Sequence, residues 1–155
     1  MGGFIEKESN LDYLSNAWVS GDAKVYGDAI VDGNAQVYGN AQVFGYAQVS
    51  DNAEVYGKAR VYGRTSVGGN ARVYDNAQVY GKAKVYGNAR VYGNAQIFDL
   101  ANVYGNARVF GDTKVFGDTR VYGKARVSGN VQFSGNNDVT EYWPWKNDIK
   151  KAKRR

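Results

Sequence analysis

Asn34-Ala35-Gln36-Val37-Tyr38-Gly39-Asn40-Ala41-Gln42-Val43-Phe44-Gly45 is the stretch that decides the architecture. It holds one six-residue phrase written twice, and the chain writes that phrase twenty times, from Ala17 to Asn136, with no insertion or deletion. We letter its positions a to f. Position a is Ala in sixteen units, with Thr65, Thr113, Thr119 and Val131 as the others. Position c is Val in eighteen, with Ile97 and Phe133 as exceptions. Gly stands at e in seventeen units, Asn or Asp at f in fourteen, and an aromatic residue at d in fourteen.

A fixed short period marks a repeat architecture, and six is a β-helix period. Small apolar residues at a and c alternate with polar ones at b, the period of a strand with one buried face. The Gly-Asn pair at e and f is turn chemistry, because both residues accept positive φ. Each unit therefore reads as a short strand over a to d and a corner at e and f. Side chains at a and c point inward, and those at b and d point outward.

The motif Val-x-Gly-Asn-Ala-x resembles the hexapeptide repeat of left-handed parallel β-helices, as in the bacterial hexapeptide acyltransferase superfamily. Three units make one triangular coil there, so the resemblance implies eighteen residues per coil. More closely, Gly2-Gly3-Phe4-Ile5-Glu6-Lys7-Glu8, Asn10-Leu11, Asn16-Ala17-Trp18-Val19 and the Val-Tyr-Gly-Asn-Ala runs look like small hexapeptide proteins of phages and Gram-positive bacteria. The resemblance covers residues 2 to about 136. The expected fold is all-β, a single left-handed parallel β-helix of about six to seven coils. Its rod is about 30 Å long at about 4.8 Å per coil. Residues 1–16 form an N-terminal cap, 17–136 the helix, and 137–155 a C-terminal cap with a basic tail.

The chain has 155 residues, enough for one domain, and no cysteine, which excludes disulfide and thiol chemistry. No stretch has the apolar length of a membrane-spanning helix, and the N-terminus shows no secretory pattern. The expected location is cytoplasmic. The net charge of +5 is unevenly placed. Residues 1–57 hold eight acids and two bases, whereas residues 58–145 hold twelve bases and six acids. Residues 146–155 add six bases and one acid. The rod should have an acidic end and a basic end, a dipole able to orient binding or head-to-tail contact.

With eighteen residues per coil, every third unit stacks in a column. On the first face, position d reads Tyr38, Tyr56, Tyr74, Tyr92 and Phe110. Position b there reads Trp18, Gln36, Glu54, Arg72, Arg90, Arg108 and Arg126. The second face carries Tyr26, Phe44, Tyr62, Tyr80, Phe98 and Phe116 at d. The third begins with Asp32, Ser50 and Gly68 and continues as Tyr86, Tyr104 and Tyr122. Rings one coil apart stack, and Asn34, Asn52, Asn70, Asn88 and Asn106 at one corner form an amide ladder. Exposed aromatic columns, among them Tyr38, Tyr56, Tyr74, Tyr92, Tyr62 and Tyr80, mark a partner or self-association surface. Arg72, Arg90, Arg108 and Arg126 repel one another unless Tyr faces or an anion compensate. The tail adds Trp143 and Trp145 with Lys150, Lys151, Lys153, Arg154 and Arg155, and a nucleic-acid backbone is one anion that suits both groups.

The superfamily's best-known activity, acyl transfer, implies a His base near a subunit cleft. This chain has no histidine, no loop insertion within the repeat and no zinc-ligand cluster. Asp32, Asp51, Asp75 and Asp99 are candidate carboxylate bases, yet each is accounted for as a turn or surface residue. An ice-binding Thr array is absent, since Thr65, Thr113 and Thr119 all sit at the inward position. The expectation is a rigid, non-catalytic binding or scaffold protein with no cofactor, metal or small-molecule substrate. Its partner is a protein, a host protein if the chain is phage-encoded, or a second copy, with nucleic acid as a further possibility. The alternatives are a self-assembling rod and a degenerate hexapeptide acyltransferase.

Overall fold

A computed structural model describes residues 2–143 and 153–154. They form a parallel β-solenoid with three sheets, one for each side of the coil, and each sheet has eight strands. The first face runs from Trp18–Val19 through Gln36–Val37 and Arg72–Val73 to Arg126–Val127 and Tyr142–Trp143. The second runs from Phe4–Ile5 through Lys24–Val25 to Gln132–Phe133. The third runs from Ile30–Val31 to Asn137–Val139 and is closed by Lys153–Arg154, its one antiparallel strand. Through the repeat the register is one coil of eighteen residues, with Arg72 opposite Arg90 and Val73 opposite Val91. No α-helix occurs among the described residues, so none is long and apolar enough to cross a membrane.

The ladder holds the coils together. In most units the b, d and f amides donate to the a, c and e carbonyls of the next coil: Gln36 to Ala53 at 2.9 Å, Tyr38 to Val55 at 3.0 Å, Asn40 to Gly57 at 2.7 Å. The regular strand covers only b and c, shorter than the four residues read from the pattern, although the d amide still joins the ladder. Inside, Ala at a and Val at c form one continuous core, nearly all of it fully buried. Corners require glycine for two reasons. Gly57 has φ +68°, and a Cβ there would sit 2.9 Å from the Asp75 amide nitrogen one coil on. The three exceptions, Asp51, Asp75 and Asp99, all adopt positive φ (59°, 57° and 56°). Their carboxylates accept from the corner amides of Gly69, Gly93 and Gly117 at 2.7, 3.2 and 3.2 Å, which offsets the strain of a non-glycine there.

The solenoid has about eight coils rather than six to seven, because the chain keeps wrapping beyond both ends of the clean repeat. Phe4–Ile5 pairs in parallel with Lys24–Val25, and Leu11 bridges to Val31. Tyr142–Trp143 pairs with Arg126–Val127. The repeat hides these outer strands because their spacing slips. At one corner Tyr13, Leu14 and Ser15 replace a single glycine: the flanking Asp12 and Asn16 amides still reach Val31 and Gly33 one coil on. Tyr13 and Leu14 stand in solvent, 81% and 87% exposed, so they do not cover the first coil.

Asn10 does cover it. Beside the 3-10 turn Glu8–Asn10, the Gly27 and Ala29 carbonyls find their donor in the Asn10 amide, at 3.0 and 2.7 Å, in place of ladder amides. Its carbonyl oxygen accepts from the Lys7 amide at 2.9 Å, and the side chain is buried. Asn10→Ala should therefore leave buried groups unpaired and cost about 2–3 kcal/mol. The check is chemical denaturation together with hydrogen exchange, in which protection should fall first in the coil around Gly27 and Ala29. Unchanged protection there would refute the role.

The inward threonines behave differently. Thr113 donates to the Phe110 and Gly129 carbonyls at 2.7 and 3.2 Å, and Thr119 to Gly135 at 3.3 Å. The buried Thr65 hydroxyl has no hydrogen-bond partner among the described residues. Thr65→Val keeps the shape and removes the orphan hydroxyl, so it should raise the unfolding free energy by about 1 kcal/mol and the denaturation midpoint with it. A lowered midpoint would show that the hydroxyl is satisfied.

Candidate binding faces

The first face brings the expected basic column together. Arg72, Arg90, Arg108 and Arg126 lie opposite one another, one per coil, along a single ladder. Below them stands Glu54, opposite Arg72. Its Oε1 lies 3.0 Å from Arg72 Nη2, and its Oε2 accepts from the Tyr38 hydroxyl at 3.1 Å. A carboxylate thus joins the foot of the basic column to the foot of the aromatic one. Among the described residues, Arg90 and Arg108 make no ion pair or side-chain hydrogen bond. Two or three adjacent guanidinium groups one coil apart repel in water at about 1 kcal/mol or less per pair, a tolerable cost that an anion would turn to advantage.

Tyr38, Tyr56, Tyr74, Tyr92 and Phe110 stack at 4.8–4.9 Å with planes within 3°. On the second face Tyr26, Phe44, Tyr62, Tyr80, Phe98 and Phe116 stack at 4.7–5.0 Å. The rings are half-buried rather than exposed, because each covers the faces of its neighbours. What they offer a partner is a row of ring edges. Trp18, at a b position, leans over to cover the first ring, Tyr38, at 5.6 Å and 26°. Column arithmetic cannot find this contact, since it crosses from b to d.

Compensation of cations by rings falls elsewhere. The Arg60 guanidinium lies 5.5 Å from the ring centres of Phe44 and Tyr62 on the second face. Arg64 lies 5.6 Å from Tyr46, which is 62% exposed at a corner. That corner reads Asp28, Tyr46, Arg64, Lys82, Leu100 and Asp118, where the other two corners are mostly Asn or Asp. Its sequence signal is the departure of position f from Asn. The expected amide ladder forms at another corner and begins at Asn16. It continues through Asn34, Asn52, Asn70 and Asn88 to Asn106, with amide-to-oxygen distances of 3.0–3.3 Å. Asn76, Asn94 and Asp112 make a second, shorter one.

At the N-terminal end a depression of about 620 Å³ is lined by Ile5, Glu6, Lys7, Glu8, Leu11 and Tyr13. In the tail, the backbone of Trp143 lies in the strand beside Val127, and Lys153 and Arg154 pair with Asp138 and Asn137. Trp145, Lys150, Lys151 and Arg155 lie outside the described residues.

The model of the YdcK β-solenoid repeat matches this chain over residues 35–49, 47–63, 67–81 and 83–99. The matched segments lie in the middle of the rod and span parts of all three faces, so the similarity concerns the solenoid repeat itself. No curated protein matches the chain.

Burial raises the Tyr38 hydroxyl from its usual value of 10.0 to about 12, and the hydrogen bond to Glu54 adds to the rise. Burial also raises Tyr56, Tyr74, Tyr80 and Tyr104. A folded-state value above the unfolded one favours the neutral phenol in the fold. The contribution is therefore complete below pH 10 and disappears as pH rises through about 12. Stability should fall across that window. Tyr38→Phe should reduce the fall, and Glu54→Gln should shift one phenol to an earlier titration. Denaturation midpoints at pH 9 and pH 11, with ultraviolet titration of the phenols, check this; a fall of the same size in Tyr38→Phe would count against it.

Proposed function

We propose that this chain is a rigid, non-catalytic binding protein whose first face engages an anionic partner. The observation that supports this best is the in-register column Arg72, Arg90, Arg108 and Arg126, in which Arg90 and Arg108 make no ion pair among the described residues. A solenoid that needed only solubility would alternate charges along a column, because like charges directly opposite destabilise a sheet. The ring edges of Tyr56, Tyr74 and Tyr92 flank the arginines and supply apolar contact beside the charge. The partner we favour is an acidic protein surface, since residues 1–145 carry equal numbers of acids and bases and no nucleic-acid motif. The resemblance to small phage hexapeptide proteins suggests a host protein in that role. A chain without histidine or cysteine, and with no loop breaking its repeat, argues against the acyl-transfer chemistry of the hexapeptide superfamily.

The second reading is nucleic acid, favoured by six bases in residues 146–155. Fluorescence anisotropy of labelled generic DNA and RNA at low and high salt, with the full chain and with a form ending at Trp145, separates the two. An anionic protein partner predicts no nucleic-acid binding at low salt, and capture of acidic proteins that is lost when all four column arginines become Gln. Salt-sensitive nucleic-acid binding that weakens on truncation would assign the tail to nucleic acid. A quadruple variant that keeps every partner would refute the role of the column.

A further inference from the structure

The aromatic ladder of the third face starts halfway along the rod, and its first ring is open. Tyr86, Tyr104 and Tyr122 stack at 4.9 and 5.0 Å with planes within 3°. Tyr86 is 41% exposed, whereas the rings after it are half-buried. On the first face the corresponding first ring, Tyr38, is covered by Trp18. Below Tyr86 the strand Ser66–Val67 is followed by Gly68, where the repeat places a side chain. Nothing in its backbone demands glycine, because Gly68 lies outside the positive-φ corners. The ladder therefore has a gap one coil deep.

Oxygens line the floor of this gap. A Cβ on Gly68 would meet Asp51 Oδ2 at 3.0 Å and Ser50 Oγ at 3.1 Å. Asp51 Oδ2 accepts from the Gly69 amide at 2.7 Å, and Asp32 Oδ2 accepts from Gln48 Nε2 at 3.2 Å, one coil further down. Both carboxylates retain acceptor capacity. Lys84 is the one base at a b or d position on these coils of the face, against Asp32 and Asp51, and Ser66 between them is uncharged. The oxygens of the floor belong to the acidic stretch 1–57, and the gap lies where that stretch meets the basic one.

We propose that the gap is a slot for the guanidinium of an arginine on a partner protein. The group is planar, so it fits where one coil's ring is missing and stacks on the open face of Tyr86. Its N–H donors meet the oxygens of Ser50 and Asp51, which accept hydrogen bonds. An ammonium is not flat and gains little from the stacked geometry. The rod contains the same pairing internally, where Arg60 lies against Phe44 and Tyr62. The slot therefore takes the opposite charge from the arginine column, on a different face.

The test is an NMR titration following the Tyr86, Tyr104 and Tyr122 ring signals of the full chain. The probes are the methylamides of N-acetylarginine, N-acetyllysine and N-acetyltyrosine. The expected result is a saturable shift of Tyr86 alone with the arginine probe, at an affinity roughly tenfold above the lysine probe. Gly68→Tyr supplies the missing ring, shifting Ser50 Oγ and the Asp51 carboxylate to make room, and it should abolish the shift. Asp51→Gly restores the residue usual at that corner and should weaken binding severalfold. No shift, an equal shift at Tyr104 and Tyr122, an undiminished shift in Gly68→Tyr, or stronger binding of the tyrosine probe would each overturn the assignment. None of these outcomes depends on Arg72, Arg90, Arg108 or Arg126, so the proposed anionic partner stands or falls separately.

Discussion

The inter-coil ladder constrains everything else in this molecule. Its period places each residue directly over the residue eighteen positions earlier, at about 4.8 Å. A column therefore asks one question of each residue type: can it stack on itself? Asn can, because its amide donates upward and accepts from below, as Asn34 and Asn52 do. Aromatic rings can, as Tyr56 on Tyr74 shows. Ala and Val can, and so fill the core. Glycine can at the corners, where backbone meets backbone. Charged residues cannot without cost, and for that reason the stacked arginines are informative in a way that a scattered set of surface arginines would not be.

The same rule explains the exceptions. An Asp at a corner breaks the glycine column, and it occurs where its carboxylate can take the next coil's amide. Glu54 interrupts a column that becomes cationic above it, and it ties Arg72 to Tyr38. Gly68 interrupts a column that becomes aromatic above it. Each departure from the repeat has a local chemical consequence, so deviations rather than the consensus point to function.

The ends follow a different logic. A solenoid leaves strand edges at both ends, and open edges invite uncontrolled pairing. Here irregular chain covers edges where the structure describes it. Gly3 bonds to Val19, Asn10 substitutes one amide for two ladder donors, and the Lys153–Arg154 strand runs antiparallel over Asn137–Asp138. None of these caps repeats, so no period reveals them. The outer strands Phe4–Ile5 and Tyr142–Trp143 escape the repeat for the same reason: a slip of two residues in spacing is enough to hide a strand from a period of six.

By itself the sequence determined the solenoid, its coil of three units, the inward Ala and Val, the corner glycines and the membership of each column. All of these follow from a period, and a period is a property of the chain. It also carried the arginine column, the amide ladder and the charge polarity of the rod. Only the tertiary structure decided what happens between columns. The lean of Trp18 over Tyr38, the Tyr38–Glu54–Arg72 chain, the half-burial of the rings, the orphan hydroxyl of Thr65 and the open face of Tyr86 all depend on side-chain direction across neighbouring strands. The physical reason is that stacking along the rod is dictated by register, whereas contact around the rod depends on rotamers and on the exact chemistry of each departure from the repeat.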